Sequence, residues 1–318
     1  MSKFGNIVTL SFIGLMQIGC IFVTTFSIVS IFDSYYWLFE LLTHFKLQYF
    51  FLSLVLVGGF TVLKRRIFLV IALFSLLINA VFIVPFYLKP SFKSSENNSR
   101  EIKLLHSNVL TSNRQFSILI EQIQIEDPDV VLLQEVDSWW ISALTPIQSD
   151  YEYKIEIPRR DNFGIALYSK IPISNHYIRD WGEAGLPSIE AEMVLDNVSF
   201  NFIATHPLPP VSKRNYDARN SQILGVSSRV RELKNAKIVM GDLNTSAWSS
   251  DYKTLESDTG LYNAARGFGI FPTWPTRLLP MMIPIDHCLV SNHFTVVEVR
   301  QGKDIGSDHL PLIVTLKI

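Results

Sequence analysis

The sequence predicts an α/β protein in which two packed β-sheets are covered by helices, with a membrane domain of three transmembrane helices in front of them. Three observations carry that prediction. Long uncharged apolar stretches crowd the N-terminal end. Beyond them, short β-branched and aromatic runs recur between turn residues, the pattern of strands. Among these runs lie segments whose apolar residues fall at helical spacing. A strand-rich pattern with helices interspersed is satisfied by sheets that pack face to face under a helical cover.

The 318-residue chain is 48% hydrophobic, with a mean hydropathy of +0.24, too apolar for one ordinary soluble domain. The excess lies in residues 7–32, 47–63 and 67–88, none of which contains a charged residue. Each is near the ~20 residues that a helix needs to cross a bilayer. The middle stretch is the shortest and carries Gly58-Gly59. A cleaved signal peptide does not suit the first stretch, whose apolar run is too long and is followed by more of the same. Residues 1–92 are therefore expected to form a membrane domain. Residues 93–100, "KSSENNSR", form a polar linker. Residues 101–318 have the size of one globular domain.

Lys3 precedes the first stretch, and Lys64-Arg65-Arg66 separates the second from the third. Basic loops face the cytoplasm, so the N-terminus is expected inside and everything after the third helix outside. Lys89, Lys93, Arg100 and Lys103 pull against this orientation. Tyr35, Tyr36 and Trp37 would sit as an aromatic belt at the outer interface. The chain after residue 99 holds 21 basic and 26 acidic residues, about −5 in net charge. It lacks the basic footprint of a general DNA binder. Cys20 and Cys288 fall in different domains, so no disulfide is expected.

In chain order, "EIKLLHSNV" reads as a buried strand, and "RQFSILIEQIQIE" as a helix with Phe116, Leu119, Ile120 and Ile123 on one face. "PDVVLLQEV" is a second buried strand. "YEYKIEI" alternates and suits a half-exposed strand, and "FGIALYSK" is another. "SIEAEMVLDNVSFNFIATH" reads as a hairpin turning at Asp196-Asn197. "RNSQILGVSSRVREL" is an amphipathic helix, with Arg219 and Gln222 on its solvated face. "KIVMGDLN", "IDHCLVS", "FTVVEVR" and "LPLIVTLKI" complete the domain as strands, the last running from Leu310.

Polar residues recur where the apolar strands end. Asn108 follows "LLHS", Glu135 follows "VVLLQ", His206 follows "NFIAT", and Asp242 and Asn244 follow "KIVMG". Asp286 opens "DHCLV", and Asp308-His309 precede the last strand. Singly, each has a bland explanation, since Ser-Asp and Gly-Asp are ordinary turn chemistry. Together they are the parts of metal-assisted phosphate ester hydrolysis. Carboxylates and carboxamides are hard oxygen ligands suited to Mg²⁺. Imidazoles and acids can activate water and stabilise charge on phosphoryl oxygens. Gly-x-Ser-x-Gly, Walker, His-Glu-x-x-His and Cys-x-x-Cys patterns are all missing.

"HSNV", "LLQEV", "FGIALYSK", "ATHP", "GDLN", "IDHCLVS" and "GSDHLPL", in this order, resemble the endonuclease/exonuclease/phosphatase superfamily over essentially all of residues 100–318. "FPTWP" before "IDH" resembles its membrane-anchored bacterial branch. The resemblance implies a four-layer αββα sandwich. It implies Glu135 as the main Mg²⁺ ligand, with Asn108 and Asp308 contributing and Mn²⁺ able to substitute. Asp242 and Asn244 would position the attacking water and the scissile phosphate. His309 would be the general base or a phosphate-binding imidazolium, oriented by Asp286, and His206 would contact a phosphate oxygen. Two features depart from the pattern. Leu110 stands where many nucleases of the family carry an Asp, and the inositol 5-phosphatase signatures are missing.

Arg160 and Asn162, and Trp274 beside the site motifs, are candidate substrate-binding residues. Trp139-Trp140 reads as core packing. His44, His106, His176 and His293 read as structural, and His287, next to Asp286 on a strand, should point to the opposite face. The favoured function is a membrane-anchored Mg²⁺-dependent phosphoesterase acting on a phospholipid headgroup or other membrane-associated phosphoester. The alternatives are a tethered nuclease acting on DNA or RNA and a catalytically inactive membrane module.

Overall fold

The computed structural model describes residues 2–88 and 100–318, with side chains from residue 12 onward. All of the expected linker except Arg100 lies outside the described residues. The chain divides into two units, Met1–Tyr87 with Trp248–Ser250, and Leu88–Ala247 with Asp251–Ile318.

The first unit contains helices α1 (Ser2–Val29), α2 (Trp37–Thr43), α3 (Lys46–Val62) and α4 (Arg66–Ile83). Among the described residues, two stretches, Phe12–Tyr35 and Arg66–Tyr87, are long and apolar enough to cross a membrane. The expected second span, 47–63, is the helix α3, too short to be counted as a span by itself. It counts as a span only when taken together with α2, from which it is bent by 60°. Val55, Val62, Ile67, Val70, Leu77 and Val81 are exposed. Several polar side chains are turned inward and bond to one another. Lys46 Nζ donates to Ser30 Oγ (2.7 Å), Asn79 Nδ2 donates to Ser27 Oγ (2.7 Å), and the Ser53 and Ser75 hydroxyls share a bond of 2.8 Å. Interhelical bonds of this kind hold helices together where burial of apolar surface cannot.

The second unit contains β1 (Glu101–Asn108), α5 (Phe116–Glu126), β2 (Val130–Gln134), α6 (Ser138–Ala143), β3 (Tyr153–Ile157), β4 (Ile165–Ser169), β5 (Ile173–Arg179), β6 (Ser188–Leu195) and β7 (Val198–Ala204). There follow α7 (Lys213–Glu232), β8 (Ala236–Asp242), α8 (Ser250–Thr259), β9 (Tyr262–Asn263), β10 (Asp286–Val290), β11 (Thr295–Gln301) and β12 (Leu312–Lys317). The first sheet has the order β11-β12-β1-β2-β4-β3, and the second β5-β6-β7-β8-β10-β9. In each, the middle pair is parallel, β1 with β2 and β7 with β8, and every other pair is antiparallel. The two sheets are two copies of one pattern, flanked by helices, which is the αββα sandwich.

Side-chain parity places the layers. Ile102 and Leu104 of β1, Val130 and Leu132 of β2, Phe200 and Phe202 of β7, and Ile238 and Met240 of β8 share one core between the sheets. The alternate residues of the first sheet, Leu105, Val131 and Leu133, pack under Leu119 and Ile123 of α5 and Trp140 of α6. The expected hairpin turns at Asp196 (φ 47°) and Asn197 (φ 67°), the left-handed pair that a tight two-residue turn demands.

Several expectations need correction. Arg219 and Gln222 are fully buried rather than solvated. Arg219 Nη1 donates to Asn244 O (3.0 Å), and Gln222 Nε2 donates to Thr205 Oγ1 (2.9 Å). Trp140 is core as expected, but Trp139 is exposed. The last strand begins at Leu312, so Asp308 and His309 lie in the bend before it rather than at its entrance.

Candidate active site

The inner core is apolar until the strands end, and then the same parity continues in polar residues. Counting by twos, Ile102 and Leu104 lead to His106 and Asn108 on β1, and Leu132 leads to Gln134 on β2. Met240 leads to Asp242 on β8, and Cys288 and Val290 of β10 share their face with Asp286. β8 and β10 pair with Asp286 directly opposite Asp242. A ladder of alternating residues thus delivers acids, amides and imidazoles to one edge of the sandwich. His287, of opposite parity, turns away. Its Nε2 donates to Thr245 O at 2.8 Å, and its ring lies against Tyr252.

At that edge His309 Nδ1 donates to Asp286 Oδ2 at 2.8 Å. His309 Nε2 lies 3.6 Å from Asp242 Oδ2, and His206 Nε2 lies 3.6 Å from the same oxygen. Asn108 Nδ2 bridges two carboxylates, donating to Glu135 Oε1 (3.0 Å) and to Asp242 Oδ2 (3.3 Å). Glu135 Oε2 accepts from Thr111 N at 3.3 Å. Asp308 Oδ2 accepts from Trp274 Nε1 at 3.0 Å, while its Oδ1 is buried without a partner. Asp242, Asp286, His309, His206 and Asn108 are all buried. The hydroxyl of Ser307 secures the bend, donating to Asn108 O (2.8 Å) and accepting from His309 N (3.1 Å).

The backbone is bent to fit. Glu135 (φ 63°) and Asn244 (φ 50°) adopt left-handed conformations just after β2 and β8, a costly geometry for a non-glycine residue that concentrates at functional sites. Gly241 of "GDLN" is there because nothing larger fits. A Cβ at that position would lie 2.2 Å from Thr205 O and 2.6 Å from Gln134 Nε2.

Beneath the edge runs a polar bridge between the sheets that sequence reasoning missed. Gln134 Oε1 accepts from Asp242 N (2.9 Å) and from His106 Nε2 (2.9 Å), and Gln134 Nε2 donates to Thr205 O (2.9 Å). His106 Nδ1 lies 3.4 Å from Asp286 Oδ1. His106 is therefore part of the site's foundation. Phe163, whose ring centroid is 5.1 Å from that of His206, was also missed. Its apolar side chain gives no sequence signal apart from its place before a strand. Arg160 and Asn162 are exposed in the loop before β4. No hydrogen bond or ion pair joins either to the buried set among the described residues.

Charge is unbalanced here. Burial pushes the Asp242 carboxyl up to about 8, with Asp286 adding to the effect, and burial likewise raises Glu135. At Asp286 burial acts in the same sense but is outweighed by His309, which holds the carboxyl well below its ordinary range. At His309 burial is outweighed by Asp286 and then Asp242, which hold the imidazolium up to about 10. Burial, with His309 nearby, depresses His206 to about 3, so its ring is neutral. Among the described residues, no lysine or arginine pairs with Glu135, Asp242, Asp286 or Asp308. Asp242, Asp286 and His309 bring ligand atoms within 4.8 Å of one another. The carboxyl oxygens of Glu135, Asp242, Asp286 and Asp308, one of them buried without a partner on Asp308, form an oxygen donor set that fits a divalent cation.

A profile of the Endonuclease/Exonuclease/phosphatase family matches residues 104–309. The chain belongs to this family. Its members are metal-dependent phosphoester hydrolases, and this chain is a hydrolase of that kind. No curated protein matches the sequence. Among solved structures, humanized D. rerio TDP2 is similar at 15% identity and a TM-score of 0.57, over 69% of this chain and 99% of that one. The human Nocturnin catalytic domain with bound sulfate anion is similar at 20% identity and 0.57, over 68% and 94%. An endonuclease/exonuclease/phosphatase from Beutenbergia cavernae is similar at 17% identity and 0.58, over 69% and 72%. At these identities the likeness is one of fold.

Proposed function

We propose that this chain is a membrane-anchored, Mg²⁺-dependent phosphoesterase that hydrolyses the phosphate ester of a phospholipid headgroup. The observation that carries the metal-dependent chemistry is the cluster of four carboxylates without a lysine or arginine partner. A divalent cation bound by Glu135, with Asn108 and Asp308, would neutralise the charge of phosphoryl oxygens. The rest falls to side chains. Asp286 fixes His309 by its bond at Nδ1, leaving Nε2 beside Asp242 for a proton or a phosphate oxygen. Asp242 and Asn244 position water and the scissile phosphate. His206, neutral and buried, offers a ring N–H to a phosphate oxygen. Trp274 supplies a partly exposed aromatic wall, and Arg160 and Asn162 lie in a neighbouring loop for the rest of the headgroup.

A lipid substrate is favoured by the two or three apolar helices in the same chain and by the net charge of about −5 after residue 99, which disfavours a polyanionic strand. The loop charges favour a cytoplasmic N-terminus and a catalytic domain outside. The test is Mg²⁺-dependent cleavage by the purified full chain, on phospholipid vesicles and on DNA in parallel, with His309→Ala as control. Lipid cleavage lost in the variant is the expected result. Cleavage of DNA alone would replace the lipid reading with the nuclease one.

A further inference from the structure

Between the isolated bridge partners Trp274 and Ile283 the chain makes a short loop, Pro275 to Met282. Its tip is apolar and faces outward. Leu278 is 59% exposed, Leu279 74% and Met281 47%, with Pro280 exposed between them. This is not a frayed segment, since Met281 N donates to Leu278 O at 2.7 Å and Leu278 N to Pro275 O at 3.2 Å. The adjacent Met282 and Ile283 turn inward and are buried. An ordered loop that directs consecutive large apolar side chains into water is an interaction surface. Its base is bonded to the site: Thr276 N donates to Asp308 O (3.0 Å), Thr276 Oγ1 to Ser307 O (2.9 Å) and Trp274 Nε1 to Asp308 Oδ2 (3.0 Å).

We infer that the loop Thr276–Met281 inserts its apolar tip into the lipid bilayer and so sets the site containing Asp308 and His309 at the membrane surface. This rests on, and sharpens, the reading of a phospholipid substrate. The loop's chemistry selects a bilayer as occupant. Arg277, its one charged residue, is exposed beside the apolar tip, where it can meet a lipid phosphate while the leucines enter the acyl boundary. Trp274 at the stem has the amphipathic ring that favours that interface. The same chain also carries helices apolar enough to cross a membrane.

The full chain is reconstituted in phosphatidylcholine–phosphatidylglycerol vesicles, with an environment-sensitive fluorophore on Leu279→Cys. Both native cysteines are buried, so the new thiol is the one that labels. The expected result is a blue-shifted emission quenched by brominated lipid, with neither effect for the same probe on Val198→Cys, exposed at the start of β7, the opposite end of that strand from His206. A probe at 279 that behaves like the one at 198 overturns the inference. So does a shift that grows with protein density and ignores brominated lipid, which would mean a second copy covers the loop. In parallel, Leu279→Glu should lower vesicle lipid hydrolysis by about tenfold and leave hydrolysis of bis(p-nitrophenyl) phosphate unchanged. If the unaltered chain hydrolyses no lipid, the substrate reading falls while the quenching result still decides insertion.

Discussion

Replacing Asp286 with asparagine keeps the shape of the site and removes one charge. The bond it alters, His309 Nδ1 to Asp286 Oδ2, is 2.8 Å long between two buried groups. A hydrogen bond to a charged partner contributes about 1.5–3 kcal/mol. Each 1.36 kcal/mol is tenfold in rate, so kcat/KM should fall by about 10- to 150-fold. The assay is Mg²⁺-dependent hydrolysis of bis(p-nitrophenyl) phosphate by the full chain in detergent micelles near neutral pH. Stability should report the same bond. The His309 pKa is raised on folding, to about 10. Its contribution is therefore complete below the ordinary histidine value of about 6.5 and fades as pH rises through the raised one. The melting-temperature gap between the unaltered chain and Asp286→Asn should narrow over that range. Adding the substitution to His309→Ala should cost little more, since the two side chains act as a unit. A rate within about twofold of the unaltered chain, or a gap that widens with pH, would refute this account of the pair.

Three further outcomes follow from the geometry. Glu135→Gln should raise the Mg²⁺ concentration for half-maximal activity by about 10- to 100-fold, a range seen even for residues that only support a metal ligand; an unchanged Mg²⁺ titration would place the cation elsewhere. Gly241→Ala forces a Cβ against Thr205 O and Gln134 Nε2. It should cost about 1–3 kcal/mol in a denaturation curve and lower activity by pushing the sheets apart beneath the site. Glu190 is fully buried and accepts from Arg229 Nε (3.0 Å) and Arg179 Nε (2.9 Å). Burial alone would raise its carboxyl, but Arg229 and Arg179 outweigh burial and hold it low. Its stabilisation is present above the ordinary glutamate value and is lost as pH falls through the lowered one. Glu190→Gln should thus cost about 3 kcal/mol at neutral pH, the low end for a buried pair because both arginines reach solvent. The difference should shrink in acid.

Strand parity made much of this protein legible before any coordinates. Asp286 and His287 are neighbours in sequence, yet the period of two assigns one to the site and the other to the far face, as found. The polar strand ends were visible because each interrupts an apolar run. Arg219 and Gln222 were misread because a charged or amide side chain on a helix normally marks its wet face. Here α7 turns that face inward, and the partners Asn244 O and Thr205 Oγ1 are distant in sequence. β5 went unseen because its residues are mostly exposed and do not alternate. The partners of His106, Gln134 and Asp286, were hidden because they come from another strand and another sheet. Trp139 and Trp140 are alike in sequence, and only the docking of α6 decides which one the core takes.

The place of β12 has a consequence for the order of synthesis. It lies between β11 and β1, inside the first sheet, yet Leu312 follows Asn108 by about two hundred residues. A ribosome adding 5–20 residues per second needs roughly 10–40 s for that interval. Throughout it, β1 has one flank with no partner, and Asn108 and Glu135 have neither Asp308 nor His309. The newborn chain is thus an unassembled hydrolase until its last strand has been made. A chaperone that covers the bare flank of β1 during those seconds would protect the yield of the fold.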